Sequence, residues 1–564
     1  MRELFQRRAG HYLLLTIAHL VMTLPNLGAH SLWDMDEGVN AEAAREMVES
    51  GNWITPFYNY ELRSAKPALL YWLQGTSYQL LGVNEFAARL PAVLCGFITL
   101  LLTYELARRM FSPSTGLLAG ITLASCLEFC LISHAATPDP PLLMFTTLTF
   151  TLYWLGSADG RRWWYVPTAA AMGLAVLTKG PVGLALPALI IVLHLAATKS
   201  LRALLCWRTL HGISTFFAVC APWYLLVTID TKGRWTKAFF MNENVNRFSS
   251  AMDNHAAGPW FHVAFLFVLF APWCVFLIGS VWYSFRQASR PLALTPPEDP
   301  PSAHRYLLIW IGTFLVVFSV AATKLPNYIL PLYPALAIVI ARFLDRWRTD
   351  PMAIPRWMMP AGIAGLALVG SVIAGGLLIA GGEVHLPMKD FNPFPGLGSL
   401  AWIGGIPLAT AIVCGLRLRQ GDRTKMLGVF SSGAVACVAC MGAFIPLAFE
   451  EQKIPKYFAL NLGLKQTDQD VRIGTVNWYR HSLVFYAERE VARIPSAEDA
   501  NEWLRTPRPV FIIISSRDWP IVSAKITRPY REVGRRYDFL SRDEIIVISN
   551  QDTAGNFLMP VSRP

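Results

Sequence analysis

A chain of 564 residues that is 54% hydrophobic, 15% charged and contains 19 tryptophans cannot hide its apolar surface in ordinary soluble domains. Its mean hydropathy of +0.38 places it in a bilayer. The formal charge of +11 is carried largely by short loops between apolar runs, which argues against nucleic acid as the partner of that charge.

The apolar runs recur at the roughly 17–25 residues that a helix needs to cross about 30 Å of hydrocarbon. About thirteen spans are expected, over residues 11–27, 87–107, 115–133, 140–157, 163–178, 181–197, 210–229, 260–284, 306–322, 327–344, 358–380, 399–416 and 427–447. The first run lacks a small-residue cleavage site and reads as a retained span. Alternate loops, "MRELFQRRAG", "ARRMF", "ADGRRW", "TKSLRALLCWR", "SFRQASR", "ARFLDRWR" and "RLRQGDRTK", are basic and belong in the cytoplasm. The N-terminus is then cytoplasmic, and residues 28–86, 230–259 and 448–564 fall on the outer side of the membrane. The expected architecture is a polytopic α-helical membrane domain over 1–447 followed by a soluble periplasmic α/β domain over 448–564. In that tail "VRIGTVNWY", "RPVFIIISS" and "DEIIVIS" read as strands, and "HSLVFYAER" and "SAEDANEWLRT" as helices. All nine cysteines lie in or beside expected spans, which leaves the outer parts without a disulfide or a zinc-type Cys/His spacing.

Within this topology an unusual set of ionisable residues reaches the outer surface. Asp36, Glu37, Glu42 and Arg45 follow one another in "LWDMDEGVNAEAAREM", and Lys66 stands in "SAKPALLYW". Arg89 opens the second span, Asp139 in "TPDPP" the fourth, and Lys179 in "LTKGP" marks a tight turn. Arg247 and His255 lie in the loop over 230–259, and Lys324 and Tyr328 in "TKLPNYILP". Each has a plain structural explanation. The acidic stretch suits the N-terminal turn of an interfacial helix. Asp139 suits a helix N-cap before Pro140, Lys66 and Lys324 suit headgroup anchors, and Glu243 with Arg247 suits an i, i+4 ion pair. The Gly-rich run "GIAGLALVGSVIAGG" reads as close helix packing. Taken together, several chain-distant charges at one level of a bilayer are costly unless paired or functional.

The joint pattern resembles a family. Asp36-Glu37 in a long first outer loop, "AEAAREM" after it, "KP" with "LLYW", "LTKGP", "ENVNRF", "KLPNYILP" and an outer tail look like bacterial aminoarabinose (lipid A) transferases and their protein mannosyltransferase relatives. These are integral-membrane glycosyltransferases of the GT-C type. The likeness covers residues 30–335 and the tail in kind alone. It implies an enzyme that moves a sugar from a polyprenyl-phosphate donor to a lipid A, glycan or protein acceptor, with inversion. It also implies Asp36 as the catalytic carboxylate, aided by Glu37 and Asp139, with Lys66, Arg247 and Tyr328 on the donor phosphate. Arg89, Lys179, His255 and Lys324 are further candidates. A lipid or sugar transporter is the alternative, although transporters usually keep their charges at the midplane.

The chain departs from the family at three positions. Val39 and Asn40 stand where aminoarabinose transferases usually carry an Arg-Tyr pair, and Ala65 stands where they carry a glutamate before the Lys-Pro pair. These departures imply a different sugar or acceptor. They also imply that no metal is essential, although a divalent metal remains possible, since Ala65 offers no carboxylate and tight sites need three or more ligands.

Overall fold

The computed structural model describes residues 8–158, 164–246, 257–291, 299–385, 391–465 and 470–551. It divides into two compact units, one of residues 1–27, 64–70 and 89–448, the other of residues 28–63, 71–88 and 449–564.

The first unit is helical, and the chain is a multi-pass membrane protein. The expected count of thirteen spans is not met. Among the described residues seven helices are long and apolar enough to cross a bilayer, or nine if each of two bent pairs forms one span. The two bent pairs are Pro113–Ala124 with Leu127–Ser133, bent by 67°, and Phe261–Leu269 with Trp273–Ala288, bent by 117°. The other four apolar runs fold as Arg8–Thr23, Asp139–Ala158, Tyr165–Lys179 and Val182–Ala197, which fail the same criteria. Physical length explains part of the difference, because a 15-residue helix such as Tyr165–Lys179 covers about 22 Å. Asp139–Ala158 has 20 residues, but a carboxylate and four threonines dilute its apolar character.

Tyr333–Thr349 is the most enclosed helix of this unit, with apolar side chains buried on every face from Ala335 to Leu344. Its charged end is tied down by neighbours. Buried Asp345 accepts hydrogen bonds from Ser112, Ser114 and Thr115 at 2.9, 2.9 and 2.7 Å, and Arg342 pairs with Asp299. A buried carboxylate and a buried guanidinium are tolerable there because both are paired. Met358–Gly381 has few buried residues and meets the turn Gly398–Gly404 through small residues. A Cβ on Gly370 would lie 2.7 Å from the Gly404 carbonyl oxygen, so the expected close packing of the Gly-rich run is real.

The second unit contains a π-helical turn, Asp34–Gly38, which runs into the helix Val39–Ser50. A short hairpin follows, β1 (Phe57–Tyr58) paired with β2 (Glu61–Leu62). Asn59 and Tyr60 make its turn with φ of +55° and +61°, as a two-residue turn with the twist of a hairpin requires. The tail forms a five-stranded sheet of β3 (Arg472–Val476), β4 (Val491–Arg493), β5 (Val510–Ser515), β6 (Arg531–Asp538) and β7 (Asp543–Ser549), in the order β4-β3-β5-β7-β6. β4, β3 and β5 run parallel, and β7 and β6 close the sheet antiparallel. β5 is buried throughout, and its alternation serves two cores. Phe511 and Ile513 pack with Leu483, Val484 and Phe458, while Ile512 and Ile514 pack with Ala500, Leu504 and Val522 on the other face. The three strands and two helices expected for the tail are all present. β4, β6 and the helices Ile454–Asn461 and Trp519–Lys525 were not anticipated.

Candidate active site

In the membrane unit three chain-distant segments converge on Asp139. This residue begins the helix Asp139–Ala158 and is buried. Lys179 ends the helix Tyr165–Lys179, where Gly180 at φ +84° turns the chain sharply. The turn brings the Lys179 ammonium to 2.5 Å from Asp139 Oδ1. Asn327 Nδ2 donates to Asp139 Oδ2 at 3.0 Å, and the Lys179 Nζ stands 5.3 Å from the centre of the Tyr328 ring. Asp139, Lys179 and Tyr328 were candidates from sequence. Asn327 was not, although it adjoins Tyr328 in the same motif. Lys324 is buried in that segment and its ammonium donates to the Ala321 carbonyl. Fully buried His262 places Nε2 3.2 Å from the Leu325 carbonyl oxygen behind it.

Lys66 belongs to the same unit and lies 4.0 Å from Glu243 Oε2, with both side chains about one-fifth exposed (21% and 19%). Glu243 stands on a second π-helical turn, Phe239–Asn246. π-Turns are rare and concentrate at functional sites, and here one carries Asp36 and another faces Lys66. Arg89 is fully buried, and its Nη1 donates to the Leu27 carbonyl at 2.8 Å, well suited to fixing the chain after the first helix. Arg247 and His255 lie outside the described residues.

In the second unit most of the acidic segment serves local architecture. Asp34 Oδ1 accepts from the amide and hydroxyl of Ser482 at 2.9 and 3.0 Å. Glu37 is buried and turns back to accept the Trp33 amide at 2.9 Å. Arg45 forks onto Glu42 at 2.7 and 2.8 Å. Glu46 accepts the Tyr60 amide, and burial together with the neighbouring Glu42 carboxylate pushes its carboxyl up to about 8. Asp36 differs from these, because its residue is exposed at the crest of the turn. Asn40 supports that crest. Its Nδ2 donates to the Asp36 carbonyl at 2.6 Å, and its Oδ1 accepts from Arg63, which also donates to Tyr71. Among the described residues no group of three or more His, Cys, Asp or Glu side chains is placed to hold a metal ion.

The geometry belongs to a polytopic membrane protein with paired charges at the ends of apolar helices. Known proteins agree. Over 98% of this chain and 100% of the other, the fold matches ArnT from Cupriavidus metallidurans bound to undecaprenyl phosphate, with a TM-score of 0.80 and 23% sequence identity. Residues 65–225 match the family described as dolichyl-phosphate-mannose-protein mannosyltransferase. A protein of Enterobacter sp. (strain 638), the undecaprenyl phosphate-alpha-4-amino-4-deoxy-L-arabinose arabinosyl transferase, is 30% identical over 62% of this chain and 61% of its own length. An uncharacterized protein of Aquifex aeolicus (strain VF5) is 31% identical over 56% of this chain and 69% of its own. The match thus spans about three-fifths of the arabinosyl transferase. The chain shares the fold of ArnT and is related in sequence to the aminoarabinose transferases and, over residues 65–225, to the protein mannosyltransferase family.

Proposed function

We propose that the chain transfers a sugar from a polyprenyl-phosphate donor to an acceptor at the outer face of the bacterial cytoplasmic membrane. The observation that carries this reading is the pairing of Lys66 with Glu243 and of Lys179 with Asp139 in a membrane-embedded unit. A phosphate on a lipid chain needs fixed cations beside hydrocarbon, where charge stabilisation is strongest. Lys66 and Arg247 neutralise the phosphate as it leaves, and Tyr328 donates to it. The Asp139–Lys179–Asn327 cluster orients the acceptor. Asp36 takes the proton of an acceptor hydroxyl as the oxygen attacks the anomeric carbon, the bond to the phosphate breaks, and the centre inverts. A lipid A phosphate acceptor is already anionic and asks less of Asp36 than a glycan or protein hydroxyl. Val39, Asn40 and Ala65 favour a sugar or acceptor other than the aminoarabinose and lipid A pair.

The test is transfer by the purified full chain in nanodiscs, from undecaprenyl-phosphate sugars to extracted lipid A, glycan and peptide acceptors. Asp36→Asn should lower the rate by about 10²-fold or more with little change in thermal stability. A variant that keeps more than about a tenth of the rate removes Asp36 from the chemistry. Lipid movement across vesicles without sugar transfer would make the protein a transporter.

A further inference from the structure

Besides the local bonds of Glu37 and Asn40, the turn that carries Asp36 is held by residues more than four hundred positions away, in the tail. Ser31 gives its amide and hydroxyl to Glu450 Oε2, both at 2.8 Å, and its carbonyl accepts from Lys453 at 2.9 Å. The Lys453 ammonium sits 3.7 Å from the centre of the Trp33 ring. The Leu32 amide donates to the Tyr486 hydroxyl at 2.7 Å, and that hydroxyl donates in turn to Glu85 at 3.2 Å. Asp34 binds the start of the helix His481–Ala487 through Ser482, with His481 Nδ1 3.6 Å from its other oxygen. Gly38 closes the grip, since a Cβ there would lie 2.7 Å from Ser482 Cα. Between these fixed points, Met35 and Asp36 stand exposed.

The helix His481–Ala487 follows β3, the strand that has β4 on one side and β5 on the other, so it is built into the core of the parallel half of the sheet. A loop pinned to it inherits the rigidity of that core. An isolated π-turn has no such support, because its hydrogen bonds are few and strained relative to an α-helix. We infer that the C-terminal α/β domain is a brace that sets the position of the Asp36 carboxylate, with Asp34, Gly38 and Ser482 as its positioning residues. The inference rests on the reading of Asp36 as the reacting carboxylate. A misplacement of about 1 Å at a reacting group can cost about 10²-fold in rate, so the brace acts on turnover and leaves donor binding alone.

The experiment compares Asp34→Ala, Asp34→Asn and Ser482→Ala in the full chain in nanodiscs. It measures kcat, donor KM, hydrogen exchange over 32–38 and thermal stability. Asp34→Ala and Ser482→Ala should lower kcat by about 10-fold or more at nearly constant KM and speed exchange in 32–38, with β3 and β5 still protected. Asp34→Asn keeps an oxygen for Ser482 and should recover most of the rate. Wild-type kcat and exchange in both Asp34→Ala and Ser482→Ala would overturn the brace. So would equal damage from Asp34→Asn and Asp34→Ala with exchange over 32–38 unchanged. Exchange in 32–38 reports the brace whether or not Asp36 reacts. An active Asp36→Asn variant with faster exchange in Asp34→Ala would therefore sink the chemistry and leave the mechanical link standing.

Discussion

At the scale of single residues, the buried pair Lys179–Asp139 is the feature whose structural and functional roles need separating. Both side chains are largely buried, at 15% and 7% exposure, and 2.5 Å apart. Removing one partner leaves a buried charge uncompensated, which typically costs about 3–5 kcal/mol, whereas removing both is far milder. Lys179→Met should therefore lower thermal stability more than Asp139→Asn with Lys179→Met together. If the pair merely held helices, the double variant would regain activity along with stability. We expect stability to return and transfer to stay at least about 10²-fold down, because the acceptor loses its orienting groups. A double variant with near wild-type rate would reduce the cluster to architecture. The legibility of this site in the sequence was uneven for a physical reason. Asp139, Lys179 and Tyr328 stood out because charge and hydroxyl beside apolar runs are costly. Asn327 carries no charge and gave no comparable signal.

At the scale of elements, hydropathy found where apolar helices lie but not how far they reach. It placed the tight turn at Gly180 and Pro181, but it cannot see that the segment after Ala124 turns by 67°. In the tail β5 and β7 were legible because they are apolar runs of strand length. β6, "REVGRRYD", is an exposed edge strand whose charges hide its pattern, and β4 has three residues. The acidic helix Val39–Ser50 was legible as a helix, but not as one whose polar face is buried. Burying that face has a consequence for pH. The Glu46 carboxyl is raised from its ordinary 4.5 to about 8 by burial and by Glu42, so the folded chain binds this proton more tightly than the unfolded one. Its stabilising contribution is complete below about pH 4.5 and is lost as pH rises through about 8. Glu46→Gln mimics the protonated form and keeps an oxygen for the Tyr60 amide. The variant should melt near wild type at pH 5 and about 2 °C or more above it at pH 9. Parallel melting curves at both values would show that Glu46 is ionised in the fold.

At the scale of the whole molecule, the side on which the tail emerges does not depend on the total number of spans. The loop "RLRQGDRTK" joins Gly405–Arg419 to Arg423–Ala448, and the latter has 26 residues, about 39 Å of helix and enough for one crossing. Short loops rich in Lys and Arg stay in the cytoplasm. If that loop is cytoplasmic, as this rule predicts, a single crossing would deliver Phe449 and the sheet domain after it to the outside, whether the chain has seven long spans or nine. The proposed reaction on a lipid-carried donor requires this outward parity, because a cytoplasmic tail would leave the turn at Asp36 facing nucleotide sugars instead. Two single-cysteine reporters test it, Leu540→Cys at an exposed site of the sheet domain and Gln420→Cys in the basic loop. The background replaces Cys206 and Cys440 by serine, since the other seven cysteines are buried. In intact spheroplasts a membrane-impermeant maleimide should label Leu540→Cys fully and Gln420→Cys after lysis alone. The opposite pattern would put the tail in the cytoplasm and remove the outward-facing reaction with it. Labelling of both sites before lysis would mean that Arg423–Ala448 does not cross the bilayer.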